Sequence, residues 1–139
     1  MRYLIDTNII RFAMRQEHDV AAVLRKHSAG DLLLSAIVLG EGRAGATRAT
    51  RAERWLALWE VLTDGWELAP FDAACAEHYG RIRADLERRG VMIGHRDCQI
   101  AATALAYAEV QQVTVTLVTD NLHEFNRVPG LKIVNWARR

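Results

Sequence analysis

The residues of this chain that could do chemistry are four acids from four distant stretches: Asp6, Glu41, Asp97 and Asp120. Asp6 directly follows a short apolar segment, and Asp120 follows the β-branched run at residues 115–118, so both are expected where a strand ends. Glu41 is predicted on a helix and Asp97 at the start of one. Because ligand sites in α/β sheets lie beyond the carboxyl ends of the strands, the four acids are predicted to converge there.

Carboxylates gathered in one place repel each other, and a divalent cation relieves that repulsion. All-oxygen ligands suit Mg²⁺ or Mn²⁺ rather than zinc, and such an ion can activate a water and neutralise charge that develops on a phosphate. Each acid also has an ordinary structural explanation. Asp97 suits the first turn of a helix, Asp120 a turn, and Glu41 a solvated helix face. Asp6 is harder to explain this way, because apolar residues on both sides predict that it is partly buried.

Strands and helices are predicted to alternate along the chain. The strands are expected at residues 2–5, 32–35, 66–69, 115–118 and 131–134, and the helices at 20–27, 36–46, 53–62, 73–89 and 96–109, besides a helix that directly follows the first strand. Asp72 and Gly90 are suited to cap the fourth of these helices. This alternation predicts an α/β fold with a mainly parallel sheet, formed by one domain over residues 1–139.

The composition excludes several classes of protein. No apolar run is long enough to cross a bilayer, and the N-terminal residues lack the unbroken apolar stretch of a secretory signal, so a cytoplasmic protein is expected. Cys75 and Cys98 fall in helix-like patterns and are interpreted as buried thiols rather than a disulfide. The formal net charge is +1, with sixteen Arg and two Lys. Charge alone therefore gives little evidence for nucleic-acid binding.

Other enzyme classes that place an acid after the first strand fit less well. Phosphatases of that kind need a second Asp two residues on, where this chain has Asn8. Receiver-like domains need a Lys after a late strand, and the lysines here are Lys26 and Lys132. Neither Ser28 nor Ser35 lies in a nucleophile elbow, and no phosphate-binding GK[ST] loop is present.

Several short motifs, in this order, resemble the PIN domain and, within it, the VapC-type toxins of bacterial toxin–antitoxin pairs. They are YLIDTN at 3–8, SAIVLGE at 35–41, IGHRD at 93–97, LVTDN at 117–121, RVPGL at 127–131 and NW at 135–136. The resemblance implies an α/β/α sandwich on a five-stranded parallel sheet. It also implies an Mg²⁺- or Mn²⁺-dependent endoribonuclease toxin that cuts tRNA or ribosomal RNA, dimerises and is held in check by a cognate antitoxin.

The resemblance also implies roles for individual residues. The residues that match the family's acids are Asp6, Glu41, Asp97 and, at the less certain fourth place, Asp120 or Asn121. Those that match supporting positions are Thr7, Asn8 and Thr119. As a hypothesis, the first three acids hold the metal and Asp120 places the attacking water or a second ion.

One residue departs from the family pattern. Gly42 follows Glu41, where the family usually has a bulky apolar residue, and is expected to weaken the helix and loosen its packing. It leaves open an alternative, a PIN fold retained for binding RNA or protein without catalysis. For an antitoxin, the apolar stripe that includes Trp55 and Trp59 is a predicted docking surface, and an antitoxin arginine is expected to insert among the acids.

Overall fold

Five parallel strands form the centre of a computed structural model that describes residues 1–138. They lie in the order β3-β2-β1-β4-β5. Their bounds are β1 Arg2–Ile5, β2 Leu32–Ser35, β3 Glu67–Ala69, β4 Val115–Val118 and β5 Lys132–Val134. The predicted strands are therefore confirmed, except that residues 66 and 131 lie just outside β3 and β5.

Helices connect the strands. Their bounds are α1 Thr7–Met14, α2 Val20–Arg25, α3 Ala36–Arg48, α4 Ala52–Leu62, α5 Ala73–Arg89, α6 His95–Gln111 and α7 Leu122–Phe125, with a 3₁₀ turn at Ala29–Asp31 before β2. The predicted caps of α5 are present, since the Asp72 carboxylate accepts from the Cys75 N–H at 3.1 Å and Gly90 takes a left-handed conformation with φ 69°. The short α7 was not predicted, because four residues are too few for a helical period.

The central strands β1 and β4 are buried on both faces. Leu4, Ile5, Leu117 and Val118 are at most 1 % exposed, as expected for a parallel sheet covered by helices. The α/β fold class with a five-stranded parallel sheet is thus confirmed. Cys75 and Cys98 are both buried free thiols, as predicted. Among residues 1–138, no helix has the length and apolar character needed to cross a membrane.

The register of β1 and β4 brings the residues that follow both strands side by side. Ile5 pairs with Val118, and the Asp6 N–H donates to the Val118 carbonyl at 2.9 Å. The Thr119 N–H donates to the Val134 carbonyl of β5, also at 2.9 Å. Asp6 and Thr119 therefore meet at the carboxyl edge of the sheet, where the sequence predicted a site.

Candidate active site at the carboxyl edge of the sheet

Asp6 is the centre of the site and is fully buried, at 0 % exposure. As the N-cap of α1, it accepts from the Thr7 N–H at Oδ1, at 2.7 Å. Its Oδ2 accepts from the Thr119 hydroxyl at 2.8 Å and is 3.5 Å from the Asn8 amide nitrogen. A buried carboxylate needs such donors, because burying it without them is costly. The supporting residues Thr7, Asn8 and Thr119 thus all contact Asp6.

Glu41 reaches the same site from the middle of α3. Its Oε1 accepts from the Thr7 hydroxyl at 2.6 Å, so one threonine contacts both acids. Burial disfavours the ionised form, but hydrogen bonds from Arg96 and Thr7 outweigh it and lower the pKa of Glu41. Glu41 is therefore held as a carboxylate at neutral pH.

Asp97 lies in the first turn of α6 and is 8 % exposed. Its Oδ2 accepts from the Asn121 amide at 3.2 Å, and the same amide nitrogen is 3.4 Å from Oε2 of Glu124. Burial raises the pKa of Asp97, and the neighbouring Glu124 adds to this, while Arg96 opposes it. A fourth acid, Glu124 on α7, thus stands beside Asp6, Glu41 and Asp97, and the sequence did not predict it.

Arg96 joins the three carboxylates. Its guanidinium donates to Glu41 at 2.7 Å, to Asp97 at 2.6 Å and, in a short contact, to Asp6. It also donates to the Thr7 hydroxyl at 3.0 Å. Burial disfavours its charge, yet the bonds to Glu41 and Asp6 raise the pKa of Arg96 further above its ordinary value.

The side chain of Asp120 faces away from this cluster. Its Oδ1 accepts from the Asn135 amide at 2.8 Å and from Arg138 at 2.9 Å, and these bonds lower the pKa of Asp120 although burial opposes them. Its backbone N–H donates to Oδ1 of Asn8 at 3.1 Å. The residues on either side of it do contact the cluster, since Thr119 bonds to Asp6 and Asn121 bonds to Asp97.

The chemistry of the donors suits a hard divalent cation. Asp6, Glu41 and Asp97 supply only carboxylate oxygens, and three negative charges face the single positive charge of Arg96. Within residues 1–138, no three acid, His or Cys side chains already stand in a metal-binding arrangement. Since the three carboxylates are directed at Arg96, an ion that binds them has to compete with its guanidinium.

Gly42 packs closely behind Glu41 rather than loosely. An added Cβ would lie only 2.6 Å from Cε2 and Cη2 of the Trp59 indole, so this indole lies flat against the glycine. Trp59 is 6 % exposed and belongs to the core. The expectation that Gly42 loosens the packing is therefore wrong. The larger exposed apolar side chains of α4 are Leu58 and Val61, at 43 % and 77 % exposure.

Together, these features define a class of protein: an α/β domain with a carboxylate centre at the carboxyl edge of a parallel sheet. The family model for the PIN domain matches residues 3–131. The chain is 33 % identical to ribonuclease VapC2 of Rickettsia felis over 99 % of its own length and 100 % of that protein. It is 32 % identical to the tRNA(fMet)-specific endonuclease VapC of Salmonella typhimurium, over 99 % of both chains.

Solved structures give the same result. VapBC2 from Rickettsia felis, bound to a DNA fragment from its promoter, superposes with a TM-score of 0.85 at 30 % identity, covering 98 % of this chain and 99 % of that one. DNA-bound VapBC from Salmonella typhimurium gives 0.85 at 31 % identity, with 98 % of each chain covered. The chain therefore belongs to the PIN domain family, among its VapC ribonucleases.

Proposed function

We propose that this chain is an endoribonuclease that hydrolyses RNA phosphodiester bonds with a bound Mg²⁺ or Mn²⁺ ion. The observation that carries the proposal is the convergence of Asp6, Glu41 and Asp97 on one cationic group, Arg96. A cluster of carboxylates this close is unfavourable without a cation, and a structural role would not need three of them. The relatives named as VapC ribonucleases support the reaction class.

The three carboxylates that contact Arg96 are the residues that would hold the ion. When bound, the ion supplies an activated water and neutralises charge on the phosphate. The Thr7 hydroxyl orients Glu41 through a bond of 2.6 Å, and the Thr119 hydroxyl orients Asp6 through a bond of 2.8 Å. Such outer contacts fix the direction of the ligand oxygens.

Two residues that follow β4 complete the site from its other side. Asn121 holds Asp97 through its amide, and Glu124 adds a fourth carboxylate next to that contact. Asp120, by contrast, is engaged with Asn135 and Arg138. We therefore assign the fourth position to Asn121 and Glu124, and to Asp120 a role in fixing the turn that carries them.

We further propose that the chain is the toxin of a toxin–antitoxin pair. Structural neighbours include the VapBC complexes of Rickettsia felis, Salmonella typhimurium and nontypeable Haemophilus influenzae. Two of the relatives are named as tRNA(fMet)-specific endonucleases, so tRNA is the first substrate to test. Dimerisation stays a prediction from the family resemblance.

Purified, antitoxin-free protein should cut a pool of tRNA and ribosomal RNA when Mg²⁺ or Mn²⁺ is present and stop when EDTA is added. Asp6→Asn and Asp97→Asn should each lower the rate by about 100-fold or more, because each removes a charged ligand. Asp64→Asn, in an exposed turn, is the charge-matched control and should cut like the wild type.

Asp120→Asn tests the assignment of the fourth position. It should retain most of the activity, whereas Glu124→Gln should lose more. Cleavage that survives Asp6→Asn would contradict the proposed site. If protein shown to be folded and metal-loaded binds RNA but does not cut it, the alternative is favoured. The chain would then be a non-catalytic binding module whose acids are neutralised by Arg96.

A further inference from the structure

A cleft of about 410 Å³ adjoins the acidic site. Thr7 and Glu41 of the acidic site line this cleft. Its other lining residues do not belong to the acidic site. We call it the arginine cleft, and its distinguishing residues are Arg11 of α1, Arg15 at the C-cap of α1, Arg48 of α3, and Trp55 of α4. Any chain that reaches Glu41 from this side has to pass through the cleft.

The three arginines of the cleft are not held in ion pairs by the described residues, although Arg11 is close enough to Glu41 to favour its carboxylate form. Within residues 1–138, none of them lies within salt-bridge distance of a carboxylate, whereas Arg88 and Arg89 on α5 both pair with Asp85. Arg11 lies in the last turn of α1 and Arg15 is its C-cap residue, and because both line the cleft their like charges are unfavourable there. This arrangement is favourable once an anion binds between them.

Trp55 supplies the second kind of contact. Its indole Nε1 is buried and has no hydrogen-bond partner among the described residues, which is a costly state for a donor. The neighbour on that side is Gly45, where an added Cβ would lie 3.8 Å from Nε1. Because Nε1 is buried, the contact that Trp55 offers to the cleft is its half-buried aromatic ring.

We propose that the arginine cleft binds the single-stranded RNA that flanks the scissile phosphate, with Arg11, Arg15 and Arg48 on backbone phosphates and Trp55 against an unstacked base. The inference rests on the proposed function. Single-stranded RNA is bound by cationic grooves with aromatic side chains on which bases stack, and the cleft combines both features. An acidic protein segment would also satisfy the arginines, but Thr7 and Glu41 line the cleft, so the nucleotides next to a phosphate at the acidic site are within its reach.

The test measures RNA affinity separately from cleavage. A fluorescein-labelled single-stranded oligoribonucleotide is titrated with protein in EDTA, and the dissociation constant is followed by anisotropy across a series of KCl concentrations. Each Arg→Gln substitution at 11, 15 or 48 should weaken binding about fourfold at about 0.15 M salt and lower the slope of log Kd against log salt by about 0.7. The triple variant should lower the slope by about 2.

A charge-matched control and an aromatic series sharpen the test. Arg81→Gln removes an exposed arginine of α5 outside the cleft and should leave both affinity and slope unchanged. Trp55→Ala should weaken binding about fivefold or more through lost stacking, and Trp55→Phe should recover part of that loss. Thermal melts of each variant separate lost binding from lost folding.

The outcomes distinguish the two proposals. Cleavage by the wild type that is lost in Asp6→Asn supports the proposed function, whatever the triple variant does. If the triple variant keeps wild-type RNA affinity, salt slope and KM, the arginine cleft is not the RNA path. If that variant instead loses affinity for the antitoxin alone, the cleft belongs to a protein partner and the inference is overturned. Weaker RNA binding with a raised KM in the triple variant, and not in Arg81→Gln, supports it.

Discussion

The contact between Gly42 and Trp59 makes a quantitative prediction about the helix that carries Glu41. Replacing a helical glycine by alanine ordinarily stabilises a helix by about 1 kcal/mol. At Gly42, however, the added methyl would lie only 2.6 Å from two atoms of the Trp59 ring, which is inside van der Waals contact. Trp59 is 6 % exposed and packed in the core, so its ring cannot swing into solvent.

A matched control lies two residues away on the same helix. Gly40 is exposed, and an added Cβ there meets nothing within 4 Å. Gly40→Ala should therefore show the gain from helix propensity alone, while Gly42→Ala combines that gain with overpacking that costs about 1–3 kcal/mol. Because propensity cancels between the two variants, Gly42→Ala should be less stable than Gly40→Ala by about 1–3 kcal/mol.

Urea denaturation followed by tryptophan fluorescence measures this difference directly. The cost of Gly42→Ala should be smaller when Trp59 is replaced by the shorter leucine, because the clash with the indole is then removed. The double variant Gly42→Ala/Trp59→Leu should therefore be closer in stability to Trp59→Leu than Gly42→Ala is to the wild type. If Gly42→Ala proves as stable as Gly40→Ala, the close packing of Trp59 on α3 is not a constraint and the reasoning fails.

Three further predictions concern the acidic site. Arg96→Gln should bind Mg²⁺ about tenfold tighter in calorimetry, because a competing positive charge is removed, and unchanged or weaker binding would contradict that competition. Thr119→Val should cost about 1–3 kcal/mol in urea denaturation by leaving Oδ2 of buried Asp6 without its hydroxyl donor, whereas Thr119→Ser should cost less. Because the pKa of Asp97 is raised, Mg²⁺ affinity should increase as pH rises through that pKa, and an affinity independent of pH would contradict this. Because the pKa of Glu41 is lowered below its ordinary 4.5, the stability that Glu41 gives the metal-free protein should disappear as pH falls through that lowered pKa. Arg96→Gln should reduce this loss of stability in acid.

Much of the fold follows from local pattern. Strands β1, β2 and β4 are short runs rich in aliphatic or β-branched residues that end at or just before a polar residue, and their bounds are those the sequence predicts. Asp6 was predicted to be partly buried because apolar residues flank it, and it is fully buried. Patterns of this kind work where neighbouring residues determine the structure.

The site also depends on side-chain direction and on long-range contacts, which sequence spacing does not carry. Asp120 lies close after a strand, as Asp6 does, yet its side chain bonds to Asn135 and Arg138 instead of joining the cluster. Arg96 was not singled out, because one arginine among sixteen has nothing in its sequence context that marks it as a neighbour of three acids. Its position directly before Asp97 in the first turn of α6 was the available signal.

The pairing of β1 with β4 has a consequence for how this protein is made. The central strand β1 leaves the ribosome first, but its partner begins at Val115, and Arg2 has to pair with it across almost the whole chain. Contacts between residues so far apart form late, because closing so long a loop is entropically costly. Asp6 gains its Thr119 donor, and Asp97 its Asn121 partner, only after this pairing. We therefore expect nascent and prematurely terminated chains that lack β4 and the residues just after it to be inactive, so that synthesis delays the nuclease until those residues have been made.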